Sequence, residues 1–349
     1  MNLLGILCIL LFASYTFPSI LPETHSELGL ATKSPHQLVL SSFIEIPTHS
    51  FLISTNQGRV DQRQVDQRIQ YNPTFGPNVG VMAQYKAWHF SLSKRLTFID
   101  EQEQEKYGRS DYNDWRAGYQ ITKYFFVETY YQNYKGFYTD LSGEEGLQTS
   151  FGGGQRGMTA SDPKNIISRP DISALNYGLR AIFALPLTPL LNFFNSMNNR
   201  DSVDWEFNIL TKIYYNHLRI AGDQPLVPPI ASNSFSPIAS LEEYSTNTLG
   251  LGMGLGVIVP ASSTVSIGFD AMLGSGFQRQ VNEYADYKRT KYTNALEMNS
   301  NLYFNWKNQN HGFRTGFYWD TYSSKVDGVN FDSSNLGLNL IYSYSGIKL

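Results

Sequence analysis

A period of two runs through most of this chain and constrains its fold more than any other feature. From Leu249 to Val259 every odd position is a large apolar residue, whereas positions 250, 252, 254 and 256 are all glycine. From Val265 to Leu273 the apolar residues again take the odd positions. Successive side chains of a β-strand point to opposite faces, so this pattern predicts strands whose two faces meet different surroundings.

The alternation recurs along the chain and predicts an all-β antiparallel fold of about twelve strands, with ten or fourteen still open. The even number places both chain ends on the side of the short turns. We place the strands at 62–71, 79–92, 96–101, 115–121, 125–137, 173–185, 203–219, 246–259, 263–274, 293–307, 311–322 and 334–344.

One uncharged stretch, from Tyr244 to Phe269, has the length of a membrane-spanning helix. Its four alternate glycines and Pro260 each oppose a helix. The same residues suit two strands joined by a turn, and we predict that structure instead.

The predicted connections fall into two classes. The short ones are 122–124, 260–263 and 308–310, and the long polar ones are 101–114, 139–171, 222–243, 274–291 and 323–334. Short turns on one rim and long loops on the other are typical of a transmembrane up-and-down β-barrel, with the short turns in the periplasm and the long loops outside the cell. The proline-rich segment 222–243 either folds into the mouth of the barrel or stands out at the surface, and the sequence leaves both possibilities open.

Composition and charge argue against a nucleic-acid-binding function. Aromatic residues make up 14% of the 349 residues and charged residues 16%, with a formal net charge of −3. Typical soluble domains have about 25% charged residues. The chain has no basic excess that would bind a polyanion, so we expect no nucleic-acid partner.

The first residues have the character of a secretion signal. An apolar run from Leu3 to Ala13 precedes the first charged residue, Glu23. We predict a signal peptide over about 1–22, a periplasmic segment over 23–59 and the barrel over 60–349, with an uncleaved anchor helix as the alternative to the signal. Cys8 is the only cysteine, so a mature chain without it has no disulfide, thiolate zinc site or cysteine nucleophile.

The end of the chain resembles the β-signal of Gram-negative outer-membrane β-barrels. That signal has a polar residue, a glycine and two apolar residues at fixed spacing, matched here by Asn335, Gly337, Leu340 and Tyr342. Residues 117–128 likewise resemble the strand–turn–strand units of OmpA-type and porin-type barrels. The chain departs from the pattern because five residues follow Tyr344. The resemblance implies an outer-membrane location and two partners, the membrane lipids and the barrel-assembly machinery, without indicating a subfamily.

The barrel prediction assigns the polar face of each strand to the lumen. Tryptophans near strand ends are expected to form membrane girdles at Trp115, Trp205, Trp306 and Trp319. The predicted lumen-facing charges are Arg116, Glu128, Arg180, Asp204, Glu206, Lys212, Asp270, Glu297, Lys307, Arg314 and Asp320. Five positive against six negative charges predict weak ion selectivity if the lumen conducts. The glycines between 250 and 256 either widen a passage or admit long side chains from the opposite wall of the barrel.

The leading functional prediction is a porin-like channel for passive diffusion of small polar solutes, without a cofactor. The alternative is a non-conducting barrel that acts through its extracellular loops, and the third possibility is a lipid-acting enzyme of the outer membrane. We assign no catalytic, cofactor-binding or metal-binding residue, because the six histidines are scattered and no G-x-S-x-G or H-E-x-x-H motif occurs. The oligomeric state stays open.

Overall fold

The computed structural model describes residues 37–60, 63–74, 76–96, 107–122, 124–140, 166–187, 205–308 and 310–348. The signal peptide predicted over 1–22 lies outside these residues. The strands are β1 (Gln37–Val60), β2 (Arg63–Asn72), β3 (Asn78–Tyr85), β4 (Trp88–Arg95), β5 (Asp111–Thr122), β6 (Phe125–Asp140), β7 (Ile166–Pro186), β8 (Glu206–Ala221), β9 (Leu241–Pro260), β10 (Val265–Tyr284), β11 (Lys288–Asn308), β12 (His311–Val326) and β13 (Val329–Lys348).

The sheet closes on itself. Each strand from β5 to β13 pairs antiparallel with the next, and β13 pairs with β1 along nearly its whole length. β2 and β3 lie end to end beside β1, since Phe51 is opposite Tyr71 and Glu45 is opposite Asn78. They therefore act as one interrupted strand, and the ring of described strands has twelve members.

The two faces of this cylinder differ as the alternation predicts. The odd residues of β9 from Leu249 to Leu255 are more than half exposed on the outside, while Thr246 and Thr248 are fully buried inside. All backbone hydrogen bonds of such a wall are made within the closed sheet, which is what lets strands cross a bilayer. The predicted outer-membrane β-barrel of about twelve strands is confirmed.

We name the two ends by their connections. The turn rim carries residues 86–87 and 261–264 together with both described chain ends, since Gln37 pairs with Lys348. The loop rim carries residues 222–240, 285–287 and 327–328. No helix among the described residues is long and apolar enough to cross a membrane.

The described wall contains two strands fewer near the loop rim than near the turn rim. β4 ends at Arg95 and β5 begins at Asp111, and beyond them β2 pairs directly with β6 at Tyr71 and Asn72. The described ring therefore narrows from twelve strands to ten. The seam is held by Ser110, whose hydroxyl accepts from Thr74 N at 2.8 Å and donates to the Gly136 carbonyl at 2.7 Å.

The seam depends on a glycine. Gly136 has φ +84°, and a Cβ there would lie 2.1 Å from the Arg109 carbonyl oxygen. Only glycine takes this conformation without strain.

Several predicted boundaries are wrong. Residues 37–60 belong to the barrel as β1, so the periplasmic segment predicted over 23–59 does not extend that far. In β1 the inner face mixes polar and apolar residues: Glu45 and His49 share it with Phe51 and Ile53. The period of two is therefore hidden there.

The predicted strand 79–92 is a hairpin of β3 and β4, turning at Lys86 with φ +54°. No glycine, proline or asparagine marks this turn. Leu96 follows β4, and the rest of the predicted strand 96–101 lies outside the described residues.

Two of the long loops predicted from the sequence are short turns. β10 and β11 extend through most of 274–291 and are joined by 285–287. β12 and β13 take up most of 323–334 and are joined by Asp327 and Gly328, at φ +49° and +88°. An Asp-Gly pair with positive φ at both residues is a strong hairpin signal, and the polar strand ends around it hid the strands.

Candidate functional site

The lumen holds the charged residues that the sequence assigned to it, wherever the structure describes them. Glu128, Lys212, Asp270 and Arg314 are buried there, and Asp204 lies outside the described residues. The half-buried members on the same inner face are Arg116, Arg180, Glu206, Glu297, Lys307 and Asp320.

Ion pairs join strands within this lumen, β6 with its neighbour β7 and β8 with the more distant β11. Arg180 Nε donates to Glu128 Oε2 at 2.6 Å, and His89 Nε2 lies 3.5 Å from Glu128 Oε1. Lys212 Nζ donates to Glu297 Oε1 at 2.8 Å, with Lys212 only 3% exposed. Arg180 and Lys212 thus each neutralise a carboxylate instead of standing free in a passage.

Two further predicted carboxylates are held by carboxamides. Asn301 Nδ2 donates to Asp270 Oδ1 at 2.7 Å, and Asn299 Nδ2 donates to Asp320 Oδ1 at 3.0 Å. The Arg314 guanidinium lies 4.0 Å from the centre of the Tyr303 ring, a cation–π contact. Glu206 and Lys307 lie nearer the turn rim, on β8 and β11.

Several lumen residues were missed by sequence reasoning. Glu45, on the unpredicted β1, accepts a hydrogen bond from the Tyr318 hydroxyl at 2.6 Å. Asp114 accepts from Arg116 Nη2 at 2.7 Å and from the Tyr112 hydroxyl at 2.8 Å. Asp114 lay in a predicted loop, so its alternation with Tyr112 and Arg116 was the signal that could have found it.

Inward aromatic rings lie over glycines on neighbouring strands. Each ring can lie close to the wall because the opposite residue has no side chain. The rings therefore fill part of the lumen. Directly opposite pairs of this kind are Phe43–Gly80, Tyr130–Gly178, Tyr214–Gly250, Tyr303–Gly268 and Tyr318–Gly337.

Two glycines of the β9 stripe follow the same rule. A Cβ on Gly250 would lie 2.3 Å from the Tyr214 ring, and one on Gly252 would lie 3.2 Å from Lys212 Cε. Gly250 and Gly252 thus make room for long side chains, but these come from the neighbouring strand β8 and not from the opposite wall, as the second possibility expected.

The segment 222–240 closes the lumen at the loop rim. It contains two 3-10 turns, Pro229–Ala231 and Ser236–Ile238. Leu226, Phe235 and Ile238 are each 0% exposed and pack with wall residues in one apolar cluster. Of the two conformations left open by the sequence, the structure shows the one folded into the mouth. We call residues 222–240 the plug.

Arg169 clamps the plug to β7. Its Nη1 donates to the Pro225 carbonyl at 2.9 Å and its Nη2 to the Gln224 carbonyl at 3.0 Å. The same guanidinium is fixed by Asp171, which accepts from Nε at 2.8 Å and from Nη2 at 2.7 Å. A second tie comes from the Tyr71 hydroxyl, which donates to the Leu226 carbonyl at 2.6 Å.

Two small cavities lie in the lumen. The one nearer the turn rim has a volume of about 110 Å³ and includes Phe43, Met82 and Ile341 in its lining. The one nearer the plug has a volume of about 80 Å³ and includes His49, Asn176 and Asn335. Arg116 and Asp320 line both.

The predicted girdle tryptophans lie on the outer surface. Trp115, Trp205, Trp306 and Trp319 are all exposed large apolar residues, and Trp88 joins them in the β3–β4 hairpin. Trp306 lies near the turn rim, opposite Val265 and Phe313, whereas Trp319 lies mid-strand, opposite Leu336.

The residues of the β-signal divide between the two faces of β13. Asn335 and Gly337 are buried in the lumen, and Leu340 is exposed on the outside together with Tyr342. β13 continues to Lys348, so the pattern ends before the strand does. Among the described residues, no group of three histidine, cysteine or acidic side chains has the geometry of a metal site.

Comparison with known proteins finds similarity to solved structures only. No protein-family model and no curated protein matches the chain. Several solved structures are similar to it. The outer membrane protease OmpT of Escherichia coli has 6% identity and a TM-score of 0.40, and the match covers 89% of this chain and 97% of that chain. The translocator domain of the autotransporter NalP of Neisseria meningitidis has 10% identity, a TM-score of 0.39, and coverage of 90% and 92%. The toluene transporter TodX of Pseudomonas putida has 10% identity, a TM-score of 0.32, and coverage of 95% of each chain.

Proposed function

We propose that this protein is a closed outer-membrane barrel that acts at the cell surface through its loop rim and does not serve as an open diffusion channel. The observation that carries the proposal is the plug. An open porin needs a water-filled passage, whereas here Leu226, Phe235 and Ile238 fill the mouth without any exposure to solvent. Burying apolar residues in this way is favourable by about 1.5–3 kcal/mol for each large side chain, so the closed state is the stable one.

The lumen beneath the plug supports the same proposal. Arg180 with Glu128 and Lys212 with Glu297 form ion pairs inside the barrel, and aromatic rings take up the volume over the glycines. Small barrels are commonly filled by side chains in this way. The porin-like function expected from the sequence would require the plug to leave the mouth and these pairs to separate.

The loop rim offers a surface for contacts outside the membrane. Arg219 pairs with Glu243 and Lys288 pairs with Glu283, both on the outer surface near this rim. Tyr287 is also exposed there. Aromatic residues and arginine are enriched at protein interfaces, so Tyr287 and Arg219 are suited to binding a partner at the surface of the cell.

Planar-bilayer recording tests the proposal. We expect the purified full chain to give no stepwise conductance. A variant without either closure is the matched control: residues 225–239 are replaced by a short Gly-Ser linker, and Glu128, Arg180, Lys212 and Glu297 are changed to alanine. We expect it to conduct because the apolar closure and both ion pairs are gone. Stepwise conductance of the unaltered chain, equal to that of the control, would overturn the proposal.

A further inference from the structure

Polar groups without partners gather in one place in the lumen, beneath the plug. His49 is 3% exposed, and neither of its ring nitrogens has a hydrogen-bond partner among the described residues. The same holds for Oδ1 of Asn335, which lies opposite His49 in the neighbouring strand, and for Oδ1 of Asn176. Buried polar groups in folded proteins are nearly always hydrogen-bonded, so such a cluster calls for a bound partner.

All three residues line the cavity of about 80 Å³. His49 on β1 and Asn335 on β13 are neighbours in the wall, and Asn176 lies on β7. A single water needs about 10–15 Å³ of such volume. The cavity therefore has space for roughly five to eight waters, or for a ligand with about that number of non-hydrogen atoms.

Every charged residue that lines this cavity already has a hydrogen-bonded partner in the wall. The pairs are Arg116 with Asp114, Arg180 with Glu128, Glu297 with Lys212 and Asp320 with Asn299. A charged ligand would add an uncompensated charge to a confined site, which is costly. The ligand that fits is electrically neutral.

The groups left over are mixed acceptors and donors. The two carboxamide oxygens accept only, and a neutral imidazole supplies one donor and one acceptor. The carboxamide of Asn176 is oriented by its own Nδ2, which donates to Gln132 Oε1 at 3.0 Å, so its oxygen is held in place. A hydroxyl group both donates and accepts, and several hydroxyls in one small molecule match this set.

We infer that the cavity beneath the plug is a binding site for a small neutral polyol of about five to eight non-hydrogen atoms, held by His49, Asn176 and Asn335. The site is independent of whether the barrel conducts. The stack of His49 on Tyr134, with ring centroids 4.3 Å apart, fixes the imidazole for this role.

Calorimetric titration of the full chain in detergent tests the inference, with erythritol as the probe. Butane-1,4-diol has the same carbon chain with two hydroxyls fewer, butane-1,4-diammonium carries charge, and acetate is a small anion. We expect binding of erythritol, at least tenfold weaker binding of the diol, and no binding of the two ions. Equal binding of the diol, preference for either ion, or no binding of erythritol would overturn the inference.

Variants locate the site. His49→Phe keeps the ring stack on Tyr134 and removes both nitrogens, so we expect erythritol affinity to fall at least tenfold. His217→Phe makes the same change on a histidine stacked on Tyr177 with a ring distance of 4.5 Å, outside the cavity, and is expected to bind as the unaltered chain does. Asn335→Ala is the second cavity variant if His49→Phe fails to fold. Unchanged affinity in a folded cavity variant would contradict the assignment.

Discussion

The ring of Tyr318 lies over Gly337, directly opposite it on the neighbouring strand. A Cβ on Gly337 would lie 2.4 Å from this ring. The close approach carries the Tyr318 hydroxyl to Glu45 on the next strand, where it donates at 2.6 Å. One glycine thus positions a hydrogen bond that ties β12 to β1 across the closure of the barrel.

Adding a single methyl group at Gly337 is therefore expected to destabilise the barrel. Gly337→Ala forces the Tyr318 ring off its position, and overpacking of this kind costs about 1–3 kcal/mol. Gly256→Ala is the matched control, because its Cβ would meet Leu210 at 3.4 Å, an ordinary contact. Urea unfolding of both variants measures the difference, and equal midpoints would show that the ring does not depend on the glycine.

Loss of the Arg169 clamp is expected to release the plug. Arg169→Met keeps the apolar stem and removes the donors to the Gln224 and Pro225 carbonyls. We expect chymotrypsin to cut after Phe235 in this variant and to spare that bond in the unaltered chain, where Phe235 is fully buried. Cleavage is read by mass spectrometry.

The control for this experiment is Arg219→Met. Arg219 pairs with Glu243 on the outer surface, and its side chain is 45% exposed. We expect no cut after Phe235 in that variant. Protection of Phe235 in Arg169→Met would mean that the apolar contacts and the Tyr71 hydrogen bond hold the plug without Arg169.

How much of this structure the sequence predicts depends on whether a strand has two chemically distinct faces. β9 and β10 do, and their alternation places every outward side chain correctly from Leu249 to Leu273. β1 does not, because its inner face changes from polar Glu45 and His49 to apolar Phe51 and Ile53 as it passes from lumen to plug. Two environments along one face erase the period of two, and the strand was missed.

The inside of the lumen could be predicted only in part. The alternation of side chains along a strand assigns Lys212 and Glu297 to the inner face. However, these residues lie on β8 and β11, and only the curvature of the closed wall brings Lys212 Nζ within 2.8 Å of Glu297 Oε1. The alternation also does not predict the position of the plug. The prolines between 225 and 237 predict an irregular segment, whereas its burial depends on the width of the mouth that receives it.

Protonation of Asp327 is expected to loosen the β12–β13 turn. Burial by itself raises the pKa of this carboxyl, but Lys291, Tyr284 and Arg289 outweigh burial and hold the pKa below its usual value. Arg289 Nη1 donates to Oδ1 at 2.8 Å, and the Tyr284 hydroxyl donates to Oδ2 at 2.6 Å.

For a lowered pKa the stabilisation is complete above the unfolded value, about 3.9, and is lost as the pH falls through the folded value. Carbon NMR titration of Asp327 should give a pKa below 3.9 on the same scale. Asp327→Asn keeps the positive φ, which asparagine tolerates, and we expect it to loosen the turn at neutral pH without further change on acidification. A pKa at or above about 3.9 would contradict the role of these three partners.

A membrane-impermeant reagent added to intact cells is expected to react only with cysteines at the loop rim. In a Cys8→Ser background the chain has no other cysteine, so single cysteines report one position each. We expect a membrane-impermeant maleimide to label Tyr287→Cys, which is 53% exposed between β10 and β11. Lys86→Cys, an exposed position in the turn between β3 and β4, should label only after the outer membrane is permeabilised. Labelling of Lys86→Cys on intact cells would reverse the orientation.

Removing one partner of the Lys212–Glu297 pair is expected to cost more than removing both. Loss of one partner from a fully buried pair costs about 3–5 kcal/mol, whereas replacing both with apolar residues is often neutral. Because the Glu297 side chain is 19% exposed, solvent screens part of this effect, and we expect the lower end of that range for Lys212→Met. The double variant Lys212→Met with Glu297→Leu should recover most of the loss in urea unfolding. An additive loss in the double variant would mean that the two side chains contribute independently, and that the charge of Lys212 does not balance that of Glu297.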